Sequence, residues 1–168
     1  MARHPTGRLA GRKTRSMIQF VVYGQPQPAG SKRAFQHRHT GRIIVTEDAK
    51  RSRPWKDHVA QAAGEHMNGQ TLLDGPLLLE LQFIVPRPKG HYGARGLRPS
   101  APAFPTTRPD VLKLARAVED ALAGVCYRDD AQIVTELLAK NYGEPARCIV
   151  RLSRMYQRTL DANPGKAA

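Results

Sequence analysis

Asp110-Val111-Leu112-Lys113-Leu114-Ala115-Arg116-Ala117-Val118-Glu119-Asp120-Ala121-Leu122-Ala123 reads as one amphipathic helix, and the fold is built outward from it. Val111, Leu114, Ala115, Val118 and Leu122 recur at intervals of three and four, which gathers them on one buried stripe. Gly124 follows as the residue that tolerates a left-handed position at C′. Before the helix, residues 86–108 carry many Pro, Gly and Arg residues and no period. A loop of that length inside a small domain is usually functional or disordered.

Further back, Leu77–Val85 alternates with Leu79, Leu81, Phe83 and Val85 on one face, a strand introduced by the turn pair Asp74-Gly75. Beyond the helix, Gln132–Asn141 and Arg147–Arg154 read as two more strands. Upstream, Met17–Tyr23 is a strand with Ile18, Phe20 and Val22 on one side, followed by a Pro/Gly loop ending at Lys32 and Arg33. A hairpin is expected around Thr40-Gly41, leading into Ile43-Ile44-Val45. A first helix is expected from Arg53 to about His66, capped by Ser52 with Pro54 in its first turn. Its stripe is Val59, Ala62 and Ala63, with Trp55 off that stripe near the start. The order predicts an α/β (α+β) single domain, with two helices on a mixed, mostly antiparallel sheet. Residues 1–16 are expected to be a flexible basic arm, 17–156 the domain, and 157–168 a flexible tail.

Lys and Arg number 27 against 14 acids, a net charge of +13, and pI is ≈ 10.4. Without residues 1–16 the balance is 22 basic to 14 acidic residues, still +8. A surplus of this size favours a polyanionic partner, nucleic acid or an anionic membrane. No run approaches the roughly 20 apolar residues of a membrane span, and the basic N-terminus lacks the apolar core of a secretory signal. A soluble, cytoplasmic protein is expected. Cys126 and Cys148 have neither zinc spacing nor a disulfide framework and read as small buried apolar residues. His37 and His39 have the i, i+2 spacing that would put both on one side of a strand, but no further ligand supports them, so they read as surface residues.

Five of the 14 acids lie between residues 110 and 130: Asp110, Glu119, Asp120, Asp129 and Asp130. Asp110 sits where the long loop meets the helix, and Asp129-Asp130 where a turn enters a strand. Carboxylates at such junctions can converge on a hard cation. From spacing alone, Asp110 is equally readable as a helix cap and Asp129-Asp130 as a turn.

The run Arg108-Pro109-Asp110 through Gly124, then Tyr127-Arg128-Asp129-Asp130-Ala131-Gln132-Ile133-Val134 and Lys140, resembles the signature of RusA-type Holliday-junction resolvases. That signature is P-D-x-D, a Lys or Arg one turn on, D-A-L, then D-D-x-Q and a strand lysine. The resemblance extends to Gly30-Ser31-Lys32-Arg33, as in phage-type members, and covers about residues 17–155. It implies a homodimer that binds four-way DNA junctions and nicks two opposed strands with Mg²⁺, for which Mn²⁺ can substitute. It also implies roles in DNA recombination and repair in a bacterial or phage-infected cell. Carried over by position, Asp110 and Asp130 are catalytic metal ligands, with Asp129 adjacent as a third candidate. Arg116 stands at the catalytic Lys or Arg position. Lys32, Arg33, Arg108, Lys113 and Lys140 are the DNA-binding candidates, with Lys140 facing phosphate.

The second Asp of the motif is Leu112. Positions 110 and 112 lie about 200° apart on a helix, so both could face one ion only if Asp110 precedes the regular turns. Losing one of three carboxylates weakens a Mg²⁺ site, because ligand charge sets affinity. Three accounts follow: impaired catalysis, rescue by Asp129 or Glu136, or a site needing fewer ligands. The expectation is a junction-resolving endonuclease, impaired at Leu112. The competing readings are a non-catalytic junction-binding protein on the same fold and a basic RNA-associated module, the last leaving the acid cluster unexplained.

Overall fold

The computed structural model describes residues 17–30, 32–36, 38, 40–47 and 52–155. The expected arm (1–16), the expected tail (157–168), and His37 and His39 lie outside the described residues.

Strand β1 (Met17–Tyr23) is followed by an antiparallel pair, β2 (Lys32–Gln36) and β3 (Ile43–Glu47), forming a separate two-stranded sheet. This is the hairpin expected around Thr40-Gly41. Helix α1 (Ser52–Met67) leads to β4 (Leu77–Val85). The long loop then carries a small hairpin, β5 (Tyr92–Gly93) and β6 (Gly96–Leu97). Helix α2 (Val111–Leu122), β7 (Ile133–Tyr142) and β8 (Arg147–Arg154) complete the domain.

The main sheet has the order β1-β8-β4-β7. β8 runs antiparallel to both β1 and β4, whereas β4 and β7 are parallel. A parallel pair needs a long crossover, and here α2 supplies it. The sheet is therefore mixed and mostly antiparallel, as the element order predicted.

The period-2 pattern of each strand sends one row inward. Ile18 and Val22, Cys148, Val150 and Leu152, and Leu77 to Phe83 at alternate positions are buried on the helix-bearing face. Leu114, Ala115, Val118 and Leu122 of α2 close over them. Burying each large aliphatic side chain of this kind contributes about 1.5–3 kcal/mol. α1 packs on α2 and β1, and α2 packs on β7. Lys56 of α1 and Asp120 of α2 form an ion pair at 2.6 Å.

Trp55 differs from expectation: it is buried, in line with Val59, Ala63 and Met67. The four residues recur every fourth position, so the buried stripe of α1 runs through its first turn. Gly124 has φ +77°, the left-handed position that a Cβ would strain. Among the described residues no helix is long and apolar enough to cross a membrane.

Candidate active site

The outer face of α2 carries Leu112, Arg116 and Glu119, spaced four and three residues apart and thus in one row. Leu112 is 68% exposed, which core packing does not explain. Arg116 beside it is exposed, and Glu119 is half-buried. Asp110 precedes the helix with φ −68° and ψ 141°, extended rather than helical. Its exposed side chain makes no capping hydrogen bond, so its carboxylate is not committed to the helix start.

The segment Asp129-Asp130-Ala131-Gln132 folds into a single tight turn ahead of β7, held by reciprocal side-chain bonds. Asp129 Oδ1 accepts from the Ala131 amide at 2.9 Å. Gln132 Oε1 accepts from the amides of Arg128 and Asp129 at 2.9 and 3.1 Å. Gln132 Nε2 reaches the carbonyls of Leu73 and Gly75, both at 3.2 Å, and so ties the turn to the segment before β4. The Ala131 amide and a hydrogen bond from Asp130 hold the Asp129 carboxyl below the usual carboxylate range. Asp129 and Gln132 therefore shape the turn.

Asp130 is exposed on that turn and lines an open depression of ≈ 480 Å³ with Glu119, Thr135 and Glu136. Burial pushes the Glu119 carboxyl up to about 8, reinforced by the hydrogen bond that its protonated form donates to Glu136 and by the negative charges of Glu136, Asp130 and Asp120. Glu119 is the residue that sequence reasoning left without a role. Its signal was available, because it lies seven residues after Leu112 on the same face.

Asp110 stands nine residues before Glu119, about 13 Å along a helix axis at 1.5 Å per residue. Asp130 thus shares its depression with Glu119 and Glu136, and Asp110 is at the opposite end of α2. Lys140 belongs to that second end: its ammonium donates to the carbonyls of Thr107 at 2.7 Å and Pro109 at 2.8 Å. An ammonium has three N–H groups, so one remains for a phosphate. Arg108 is exposed next to Asp110, and Lys113 is exposed on the first turn of α2. Lys32 and Arg33 lie on β2, opposite Glu47 and Thr46 of β3.

Among the described residues no three His, Cys, Asp or Glu side chains are gathered at metal-ligating distance. The donors around the depression are nonetheless all oxygens, the set a hard cation prefers. Two neighbouring carboxyls, one of them holding its proton to about pH 8, form a site that a positive charge would relieve. Mg²⁺ keeps several of its waters and is commonly bound by one or two carboxylates, so the residues fit a hydrated ion.

The sequence matches the family described as Endodeoxyribonuclease RusA over residues 24–153. The chain belongs to that family. Its members are Holliday-junction-resolving endonucleases that bind branched DNA and generally depend on a divalent metal. The chain is also 32% identical over 138 residues to the uncharacterized protein YqaN of Bacillus subtilis (strain 168), covering 80% of this chain and 94% of that protein.

Proposed function

We propose that this protein is a Mg²⁺-dependent Holliday-junction-resolving endodeoxyribonuclease of the cytoplasm, acting as a homodimer in recombination and repair, with catalysis weakened at Leu112. The observation that carries the reading is the acid-lined depression at Asp130, flanked along α2 by exposed Arg116, in a chain matched to the RusA family over most of its length. Asp130 and Glu136 would hold a hydrated ion beside Glu119 at one end of α2, and Asp110 presents its carboxylate at the other. Asp129 is a nearby further donor. When bound, the ion polarises the scissile phosphate and lowers the pKa of a water. Arg116 steadies charge on the phosphate, from the same face and without needing the metal. Arg108, Lys113 and Lys140, with Lys32 and Arg33, attract the backbones of the branched DNA. Two opposed nicks call for two such sites, which a twofold dimer supplies.

Leu112 supports a second reading, a junction-binding protein without cleavage. An exposed leucine where the family motif has an acid removes one negative ligand from the row that ends at Glu119.

Nicking of a synthetic four-way junction with Mg²⁺ or Mn²⁺ separates the two. The nuclease reading expects nicking by the natural sequence that Asp130→Asn abolishes. If neither the natural sequence nor Leu112→Asp nicks the junction, the enzymatic half of the proposal is lost and binding alone remains.

A further inference from the structure

The loop 86–108, between β4 and Asp110, has no role in the site so far apart from Arg108. No acid occurs between Glu80 and Asp110, whereas Arg87, Lys89, Arg95, Arg98 and Arg108 all fall there. The loop is built rather than loose. The Arg87 guanidinium lies over the Tyr142 ring at 4.1 Å, and His91 meets the same ring edge-on at 5.7 Å, fixing one end to the last residue of β7. Arg87 Nη1 also donates to the carbonyl of Pro102 at 2.7 Å. Five residues on, Thr107 is held by Lys140.

Between those two anchors stands Phe104. Its neighbour Pro105 is buried, yet the Phe104 ring is 65% exposed. On the small hairpin of the same loop, Tyr92 pairs with Leu97 and is 48% exposed. A lone exposed apolar side chain is ordinary on a protein surface. Here, however, an aromatic ring is held outward on a pinned arc, in an acid-free basic segment that runs directly into Asp110. Cations interleaved with exposed rings match single-stranded nucleic acid: the charges follow the phosphates and the rings take the faces of unpaired bases.

We propose that Phe104, assisted by Tyr92, is a stacking platform for an unpaired DNA base at the branch point of the substrate. The inference rests on the junction-binding reading above and adds to it the part of the DNA that this loop holds. A fully paired duplex offers no free base face, so the platform contributes to branched DNA and little to linear DNA.

The test uses the full chain in EDTA, so that nothing is cut. A four-way junction with 2-aminopurine at the branch point is compared with a linear duplex of the same length and with a structured RNA. Phe104→Ala is expected to weaken junction binding about tenfold, the scale of one base–aromatic stack. It should also abolish the 2-aminopurine fluorescence change while leaving duplex affinity and melting temperature unaltered. Phe104→Trp should retain both signals, Phe104→Leu should lose them, and Tyr92→Ala should deepen the loss in Phe104→Ala.

Unchanged junction affinity in Phe104→Ala overturns the platform and leaves the nuclease reading intact. So does an equal loss on junction and linear duplex, which makes the ring a general contact. Tighter binding of the natural sequence to RNA, or no preference for the junction, removes the junction-binding reading and the platform with it.

Discussion

The Glu119 carboxyl, on the outer face of α2, shares a hydrogen bond with the Glu136 carboxyl on β7, in a depression that Asp130 also lines. Burial and the surrounding negative charge keep the Glu119 proton bound to about pH 8, against an ordinary value of 4.5.

That relationship sets a pH dependence of stability. Below pH 4.5 the Glu119 carboxyl is protonated in both folded and unfolded chains, and its contribution is fully favourable. As pH rises towards about 8, the unfolded chain releases a proton that the folded chain retains, so stability falls through this window. Denaturant unfolding in EDTA should show that decline. Glu119→Gln should flatten it, and an identical profile in the variant would refute the assignment.

Leu112→Asp restores a carboxylate to the exposed row of α2. Because Leu112 is exposed, the fold should tolerate the change within about 0.5 kcal/mol. The expected gain is in the metal: the Mn²⁺ concentration for half-maximal binding, followed by electron paramagnetic resonance, should fall. An unchanged binding curve would place position 112 outside the metal's reach.

Lys140→Met removes two charged hydrogen bonds that pin the loop ahead of Asp110. Charge-assisted bonds of this kind contribute about 1.5–3 kcal/mol each when well enclosed, and the half-exposed setting of Lys140 lowers that. A loss of about 1–2 kcal/mol is expected in denaturant unfolding. Faster amide exchange should accompany it in residues 104–109.

Tyr127 is fully buried, and its hydroxyl donates to the Glu119 carbonyl at 3.0 Å. Tyr127→Phe should cost about 1 kcal/mol, the usual net value of a neutral hydrogen bond, without altering junction affinity. A change in affinity larger than in stability would give the hydroxyl a part in binding.

Burial pushes the thiols of Cys126 and Cys148 up to about 12. Neither should react with a maleimide at pH 7.5 in the folded protein, and both should react once it is unfolded. Fast labelling of the native chain would contradict their burial.

Much of this architecture was legible in local pattern. The stripe of α2 and the alternation of β4 follow from burial on one side of an element, and a residue's neighbours along the chain report that directly. The same signal was misread at Trp55, where a large ring in the first turn continues a four-residue spacing that three smaller residues obscured. The D-D-x-Q segment was legible as a motif. Its division of labour was not: Asp129 and Gln132 build the turn, and Asp130 faces the depression, a difference made by backbone geometry.

The amino-acid order alone determined the order of the two helices and the longer strands, the basic surplus, the acid pair ahead of β7 and the leucine on the polar row of α2, because each depends on identity or on short-range period. Tertiary structure alone decided that β7 pairs parallel to β4 and thereby carries Glu136 to Glu119, seventeen positions away. It also decided that Lys140 is turned onto the backbone ahead of Asp110. Such meetings come from the choice of strand partner and the closing of loops, and no local periodicity encodes which distant residue will share a proton or a carbonyl.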